Sequence, residues 1–158
     1  MAISRQINQI KEIVLTLSQK HLIDPYLIFG IIMTESSGNP NADSGYARGL
    51  MQISKIALKD TKLPYNYDDL FDPEKNIEVG IVYLKKLENY FLKRYGLFHL
   101  PLTILAYAWG IGNVNRWLKD TKADNRFIDE AIPPEKKDYL YNVMFWTNKT
   151  REILMQQS

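Results

Sequence analysis

Cysteine is missing from all 158 residues, so disulfides, thiolate zinc sites and cysteine nucleophiles are excluded, while the redox compartment stays open. Histidine is scarce. His21 and His99 stand far apart without ligand spacing, which argues against a histidine metal site or a Ser-His-Asp triad and for ordinary core or surface residues. No apolar stretch is long enough to span a membrane. The N-terminal MAISRQINQIKEIVLTLSQKH carries Arg5, Lys11 and Glu12 and lacks the uninterrupted apolar run of a signal peptide. Export by another route, or a leader already removed, is the expectation. Neither sign of charge dominates. A net charge of +2, with Lys and Arg spread along the chain, hardly points to nucleic acid. It is compatible with approach to an anionic surface such as a bacterial envelope, or with a solvated basic face that has no function.

An apolar fraction of 46% against 24% charged residues describes an ordinary globular chain with a packed core. Its length suits one domain over residues 1–158, with no linker, repeat or convincing strand to divide it. Helical spacing recurs throughout. Ile7, Ile10, Val14 and Leu17 predict an amphipathic helix over about 5–20. Asp24-Pro25 is a helix start, and YLIFGIIM behind it is apolar all round, as in a helix at the centre of a core. Gly38 and Pro40 end it, leaving Glu35 in its last turn. Asp72-Pro73 repeats the start signal before a long helix with Ile77, Ile81, Leu84, Leu87, Phe91 and Tyr95 on its buried face, closed by Gly96. LTILAYAWG after Pro101, GNVNRWL after Gly110-Ile-Gly112, and a last helix opened by Pro133-Pro134-Glu135 follow. In the last helix Tyr139, Val143, Trp146 and Ile153 keep roughly helical period. Gly110-Ile-Gly112 follows a helix rather than a strand, so it is no dinucleotide site. The expectation is a mainly α architecture of about six to eight helices.

A carboxyl group at a helix C-terminus meets the negative end of the dipole, and apolar neighbours remove the water that would solvate its charge. Both effects favour the protonated form. A general acid needs that if it is to carry a proton near neutral pH to a leaving oxygen. Glu35 is therefore the candidate acid, with a solvated helix-end glutamate as the alternative.

ESSGNPNADSGYARGLMQ at 35–52 resembles the active-site segment of the lysozyme-like lytic transglycosylases, whose pattern is a glutamate-serine pair, an asparagine-proline, then glycine-leucine-methionine-glutamine. NIEVGIVYL at 76–84, AYAWGIGNV at 106–114 and EKKDYLYNV at 135–143 match further blocks in the family's order, so the resemblance spans about 22–145. It implies the helical lysozyme-like fold and a substrate, peptidoglycan, cleaved between N-acetylmuramic acid and N-acetylglucosamine. No cofactor or metal is implied. By matching position Glu35 is the single catalytic acid and later the base, and Ser36 is the hydroxyl that orients it or a helix-end hydrogen bonder. Met51 and Gln52 are groove residues by the same match, with core packing the alternative for Met51 and an amide at Gln52 able to bond an N-acetyl group or hydroxyl. Tyr107 and Tyr139 match groove tyrosines. Asn39, Pro40 and Gly49 shape the loop, Asn76 and Gly80 join helices closely, and Trp109, Trp117 and Trp146 are expected in the core. Three departures stand out: Ala108 replaces the asparagine of the usual AYN, Ser54 stands where a methionine-proline pair often follows, and the loop between Ser44 and Gly49 is slightly short.

Glycosidases generally use two carboxylates, about 6.5–9.5 Å apart when inverting and about 5–5.5 Å when retaining. The resemblance implies one, with the substrate's own N-acetyl and 6-hydroxyl groups completing the reaction to a 1,6-anhydro-muramoyl end. Two alternatives remain. One is a goose-type lysozyme-like hydrolase, in which Asp43 or another loop carboxylate positions water. The other is a non-catalytic peptidoglycan-binding domain. Action on the cell wall, in the periplasm or outside the cell, a monomeric state and a phage or mobile-element origin, with a cellular housekeeping enzyme whose leader has been removed as the alternative, complete the expectations.

Overall fold

The computed structural model describes residues 2–96, 98–121 and 131–157. They fall into two compact units, Met1–Tyr83 with Val143–Ser158, and Leu84–Asn142. Among the described residues seven α-helices make up most of both.

In the first unit α1 (Ala2–His21) packs on α2 (Pro25–Ser36). Ile7, Ile10, Val14 and Leu17 are all buried, as their spacing predicts. Helix α2 starts where the sequence places it, because the Asp24 side chain accepts the Tyr26 N–H at 2.8 Å and Pro25 needs no donor in the first turn. Every residue from Leu27 to Met33 is buried. Gly30 lets this helix approach the last one: a Cβ there would stand 2.2 Å from the Thr147 hydroxyl and 2.7 Å from the Val143 carbonyl. A short antiparallel pair, β1 (Ala47–Arg48) and β2 (Ile53–Ser54), follows, then α3 (Lys55–Thr61) and a 3-10 turn over Tyr67–Phe71. The sequence shows no convincing strand here, since two residues per strand are too few for a visible alternation.

Helix α4 (Pro73–Tyr95) opens with the Asp72 carboxylate accepting the Lys75 N–H at 2.9 Å and closes at Gly96, whose φ of +71° is left-handed. Ile77, Ile81, Leu84, Leu87 and Phe91 are buried, whereas Tyr95 is half-buried. In the second unit α5 (Leu100–Trp109), with the ring nitrogen of a buried His99 at its N-cap, packs on α6 (Ile111–Thr121).

Helix α7 (Pro134–Gln156) departs from its expected face. The buried positions are Leu140, Val143, Thr147, Thr150 and Leu154, while Tyr139, Trp146 and Ile153 are half-buried. Threonine hides this stripe from a count of apolar residues. Thr147 donates its hydroxyl to Val143 O at 2.7 Å and Thr150 to Trp146 O at 2.8 Å, so both enter the core without an unmet polar group.

Candidate active site

Glu35 sits half-buried in the last turn of α2. The chain leaves the helix through two left-handed residues, Ser37 at φ +54° and Gly38 at +81°, with the Ser37 N–H returned to Met33 O at 3.2 Å. Ser36 turns inward. Its hydroxyl lies 2.7 Å from Leu50 O and 3.1 Å from Ile32 O, and it accepts the Gly38 N–H at 3.2 Å. The residue after the candidate acid is thus bonded to the loop that carries Gln52.

Local turns build that loop. Asn39 Oδ1 accepts the Asn41 N–H at 2.9 Å, and Gly49 N–H reaches back to Ala42 O at 2.8 Å, closing the segment on itself. Asp43 is tied to its own loop: Oδ1 accepts the Gly45 N–H at 2.9 Å, and Oδ2 forms an ion pair with Arg48 at 3.4 Å from Nε. Arg48 also reaches Asp68 at 2.9 Å, and its guanidinium lies 4.0 Å over the Tyr67 ring.

Gln52 has a left-handed backbone at φ +50°. Its amide nitrogen donates to Ala42 O at 3.1 Å and Gly49 O at 3.0 Å, which uses both N–H groups within the loop. Two facing carbonyls also fix which end of the amide is nitrogen. What remains to a ligand is the carbonyl oxygen, an acceptor for an N–H or O–H.

Beneath the loop lies Asn76, in the first turn of α4 and 0% exposed. Its Oδ1 accepts the Met51 N–H at 2.8 Å, while its nitrogen donates to Arg48 O and Leu70 O, each at 2.9 Å. Gly49, at φ +79°, is required at this junction, because a Cβ would fall 2.2 Å from both Asn76 Nδ2 and Leu70 O. The Met51 side chain is wholly buried, and a Cβ on Gly80 would stand 2.3 Å from its sulfur. Gly80 thereby admits Met51 against α4.

The transglycosylase SLT domain model matches residues 12–129 of this chain. The chain belongs to the transglycosylase SLT domain family. Among relatives of this SLT chain, the transglycosylase of Enterobacteria phage PRD1 is 38% identical over 107 residues, which is 67% of this chain and 36% of the relative. The membrane-bound lytic murein transglycosylase C of Edwardsiella ictaluri is 33% identical over 156 residues, 80% of this chain and 42% of that protein. The chain therefore spans less than half the length of these two. Its fold superposes on the 70 kDa soluble lytic transglycosylase of Escherichia coli with a TM-score of 0.78 at 27% identity, covering 91% of this chain and 24% of that one. Against lytic transglycosylase Slt of Pseudomonas aeruginosa the TM-score is 0.75 at 28% identity, covering 87% and 23%. The lysozyme-like helical architecture expected from the sequence is the one this SLT domain has.

Of the six site residues read from the sequence, Ser36, Met51 and Gln52 are tied into one loop junction in the first unit of the SLT chain by the bonds above, and Glu35 lies in the same unit, next in the chain to Ser36. Tyr107 on α5 and Tyr139 on α7 belong to the second unit, both half-buried, with Ala108 exposed beside Tyr107. Trp117 is buried there and donates its ring N–H to Ala131 O at 3.0 Å, while Trp109 is half-buried. In the first unit Trp146 is half-buried as well. Among the described residues no three His, Asp or Glu side chains gather as a metal site requires. Asn76 is the residue whose part the sequence understates, since its block reads as helix packing and its hydrogen bonds to the loop are legible only in three dimensions.

Proposed function

We propose that this SLT domain is a lytic transglycosylase acting on peptidoglycan in the cell wall, with Glu35 as its one acid and base. Glu35 first protonates the oxygen linking C1 of N-acetylmuramic acid to N-acetylglucosamine, and that C–O bond breaks. As carboxylate it then removes the proton from the muramoyl 6-hydroxyl, whose oxygen closes on C1. A 1,6-anhydro end forms, the glutamate recovers its proton, and no water is consumed. The N-acetyl group of the same sugar stabilises the developing positive charge at C1.

The observation that carries this reading is the bonded junction between the end of α2 and the Gly49–Gln52 turn, which ties the segment of a candidate acid to that of a candidate sugar-binding amide. Ser36 and Met51 support the reading by holding that turn, and Gln52 would accept a hydrogen bond from the acetamido N–H or a sugar hydroxyl. Tyr107 and Tyr139 are assigned to substrate through their sequence blocks. The Pseudomonas relative was solved as an inactive glutamate-to-glutamine mutant, in keeping with a glutamate at the centre of the chemistry. The hydrolase alternative draws no support from Asp43, which accepts the Gly45 N–H and pairs with Arg48 as a member of its own turn.

Digestion of purified peptidoglycan in heavy-oxygen water tests the reaction. Anhydro-ended products without solvent oxygen are expected, together with loss of cleavage in Glu35→Gln and retention in Asp43→Asn. Solvent-labelled reducing ends, with Asp43→Asn inactive, would establish the hydrolase instead. A fully active Glu35→Gln would remove the acid assignment altogether.

A further inference from the structure

Two residues beyond Gln52, Ser54 caps α3 by accepting the Ala57 N–H at 3.1 Å. Lys55 and Lys59 on that helix, with Lys62 just after it, line an open groove of about 320 Å³ completed by Leu58, Leu63 and Tyr65. All three lysines are exposed, and among the described residues none is in a salt bridge. The Lys55 ammonium lies 5.1 Å over Tyr67, the ring that also carries Arg48 of the hairpin, which ties one groove lysine to the segment that holds Gln52. Three lysines without an ion pair outnumber the neighbouring Asp60 of the same helix, so the groove carries a net positive lining over a partly apolar floor, suited to an anion with small apolar parts.

We propose that this groove binds the peptide stems of peptidoglycan through their carboxylates. The inference rests on the peptidoglycan reading above. The acetylated sugars of the glycan are neutral, whereas the stems combine carboxylates with alanine methyl groups, matching the lysines and the Leu58–Leu63 floor in turn. Reach agrees. Gln52 and Lys55 are three residues apart, so their Cα atoms are separated by at most roughly 11 Å, while an extended four-residue peptide spans roughly 13–14 Å. A stem rooted on a sugar beside Gln52 therefore extends as far as the groove.

Binding is measured in the Glu35→Gln background, so that the polymer is not consumed. Sacculi carrying their stems are compared with glycan stripped of stems by an amidase and then capped as the methylamide at the lactyl carboxyls that this exposes, so that the control stays neutral, and both with phosphatidylglycerol vesicles. Glu35→Gln protein should prefer stem-bearing material about tenfold at low ionic strength, with the preference shrinking as salt rises. Adding Lys55→Gln, Lys59→Gln and Lys62→Asn should abolish the preference; asparagine is chosen because position 62 has a left-handed backbone at φ +60°. A preference retained in that variant, or an equal loss on both glycan forms, overturns the proposal. So does a loss confined to the vesicles, which would assign the groove to a membrane surface. If the Glu35→Gln protein binds neither glycan form, the peptidoglycan reading itself has failed and the groove proposal falls with it.

Discussion

Replacing Asn76 by alanine takes three hydrogen bonds out of the base of the Gly49–Gln52 turn. The Met51 N–H loses its acceptor, and the Arg48 and Leu70 carbonyls each lose a donor, at a site where Asn76 is 0% exposed. Each buried group left unmet costs about 1–3 kcal/mol. Carbonyls tolerate this better than an N–H, and the space vacated by the amide is polar enough to admit a water. A net loss of about 3 kcal/mol is therefore expected, which at about 2–4 °C per kcal/mol for a chain of this size lowers Tm by about 6–12 °C. Thermal melts followed by circular dichroism read it directly. Asn76→Asp adds a check on the cause. An aspartate keeps an acceptor for Met51 but sets its second oxygen against two carbonyls, so the folded state favours the protonated acid and its pKa rises. A raised folded pKa means that the folded state binds the proton more tightly, so Asn76→Asp should gain stability relative to wild type as pH falls. A Tm within about 1 °C of wild type for Asn76→Ala, or an Asn76→Asp difference that ignores pH, would refute the account of this junction.

Gly30→Ala should cost at least about 3 kcal/mol, because its Cβ would meet the Val143 backbone oxygen at 2.7 Å, and backbone cannot step aside as a side-chain tip can; urea melts within about 0.5 kcal/mol of wild type would contradict the close α2–α7 crossing. Gln52→Glu replaces two donated hydrogen bonds by a carboxylate facing Ala42 O and Gly49 O, and cleavage of peptidoglycan should fall about 10- to 100-fold; unchanged kinetics would return Gln52 to a purely structural part. Asp69 is held below its ordinary value of 3.8, first by the Asn66 N–H at 2.9 Å and then by Lys75. A depressed folded pKa gives stability that is present above the unfolded pKa and lost as pH falls through the folded one. Asp69→Asn should therefore melt earlier than wild type near neutrality, with the gap closing below pH about 3.8; a gap independent of pH would dismiss the charge as its origin.

Helix boundaries were the most legible part of this chain because they are written in local chemistry. Asp24-Pro25 and Asp72-Pro73 each combine an acceptor for the first-turn N–H groups with a residue that has none to offer, and both open helices as read. The face of α7 was less legible, since Thr147 and Thr150 look polar until their hydroxyls are returned to their own helix. In the candidate site the residue types and the order of blocks pointed to Glu35 and Gln52, but not to the orientation of the amide. That depends on Ala42 and Gly49 carbonyls brought together by the Gly49 N–H to Ala42 O bond and the single Asp43–Arg48 bridge, contacts too few to leave a periodic trace. Asn76 lay outside local reasoning altogether, 25 residues from the N–H it satisfies.

The Gly49 N–H to Ala42 carbonyl bond divides the loop in two. On one side Ser36, Gly49 and Gln52 meet at fixed points; on the other, Ser44, Gly45 and Tyr46 form a tip in which Tyr46 is 86% exposed and Gly45 has nothing near its missing Cβ. Residues added to or removed from the tip change only the length of a loop already pinned at its base, and doubling such a loop costs about 0.6 kcal/mol. Insertions and deletions between 44 and 46 would lose the local turn bonds of Asp43 and Ser44 but leave the base of the loop in place, so a low cost is expected for them. The same position is where a new recognition segment could be spliced without disturbing the carboxyl group or the amide behind it.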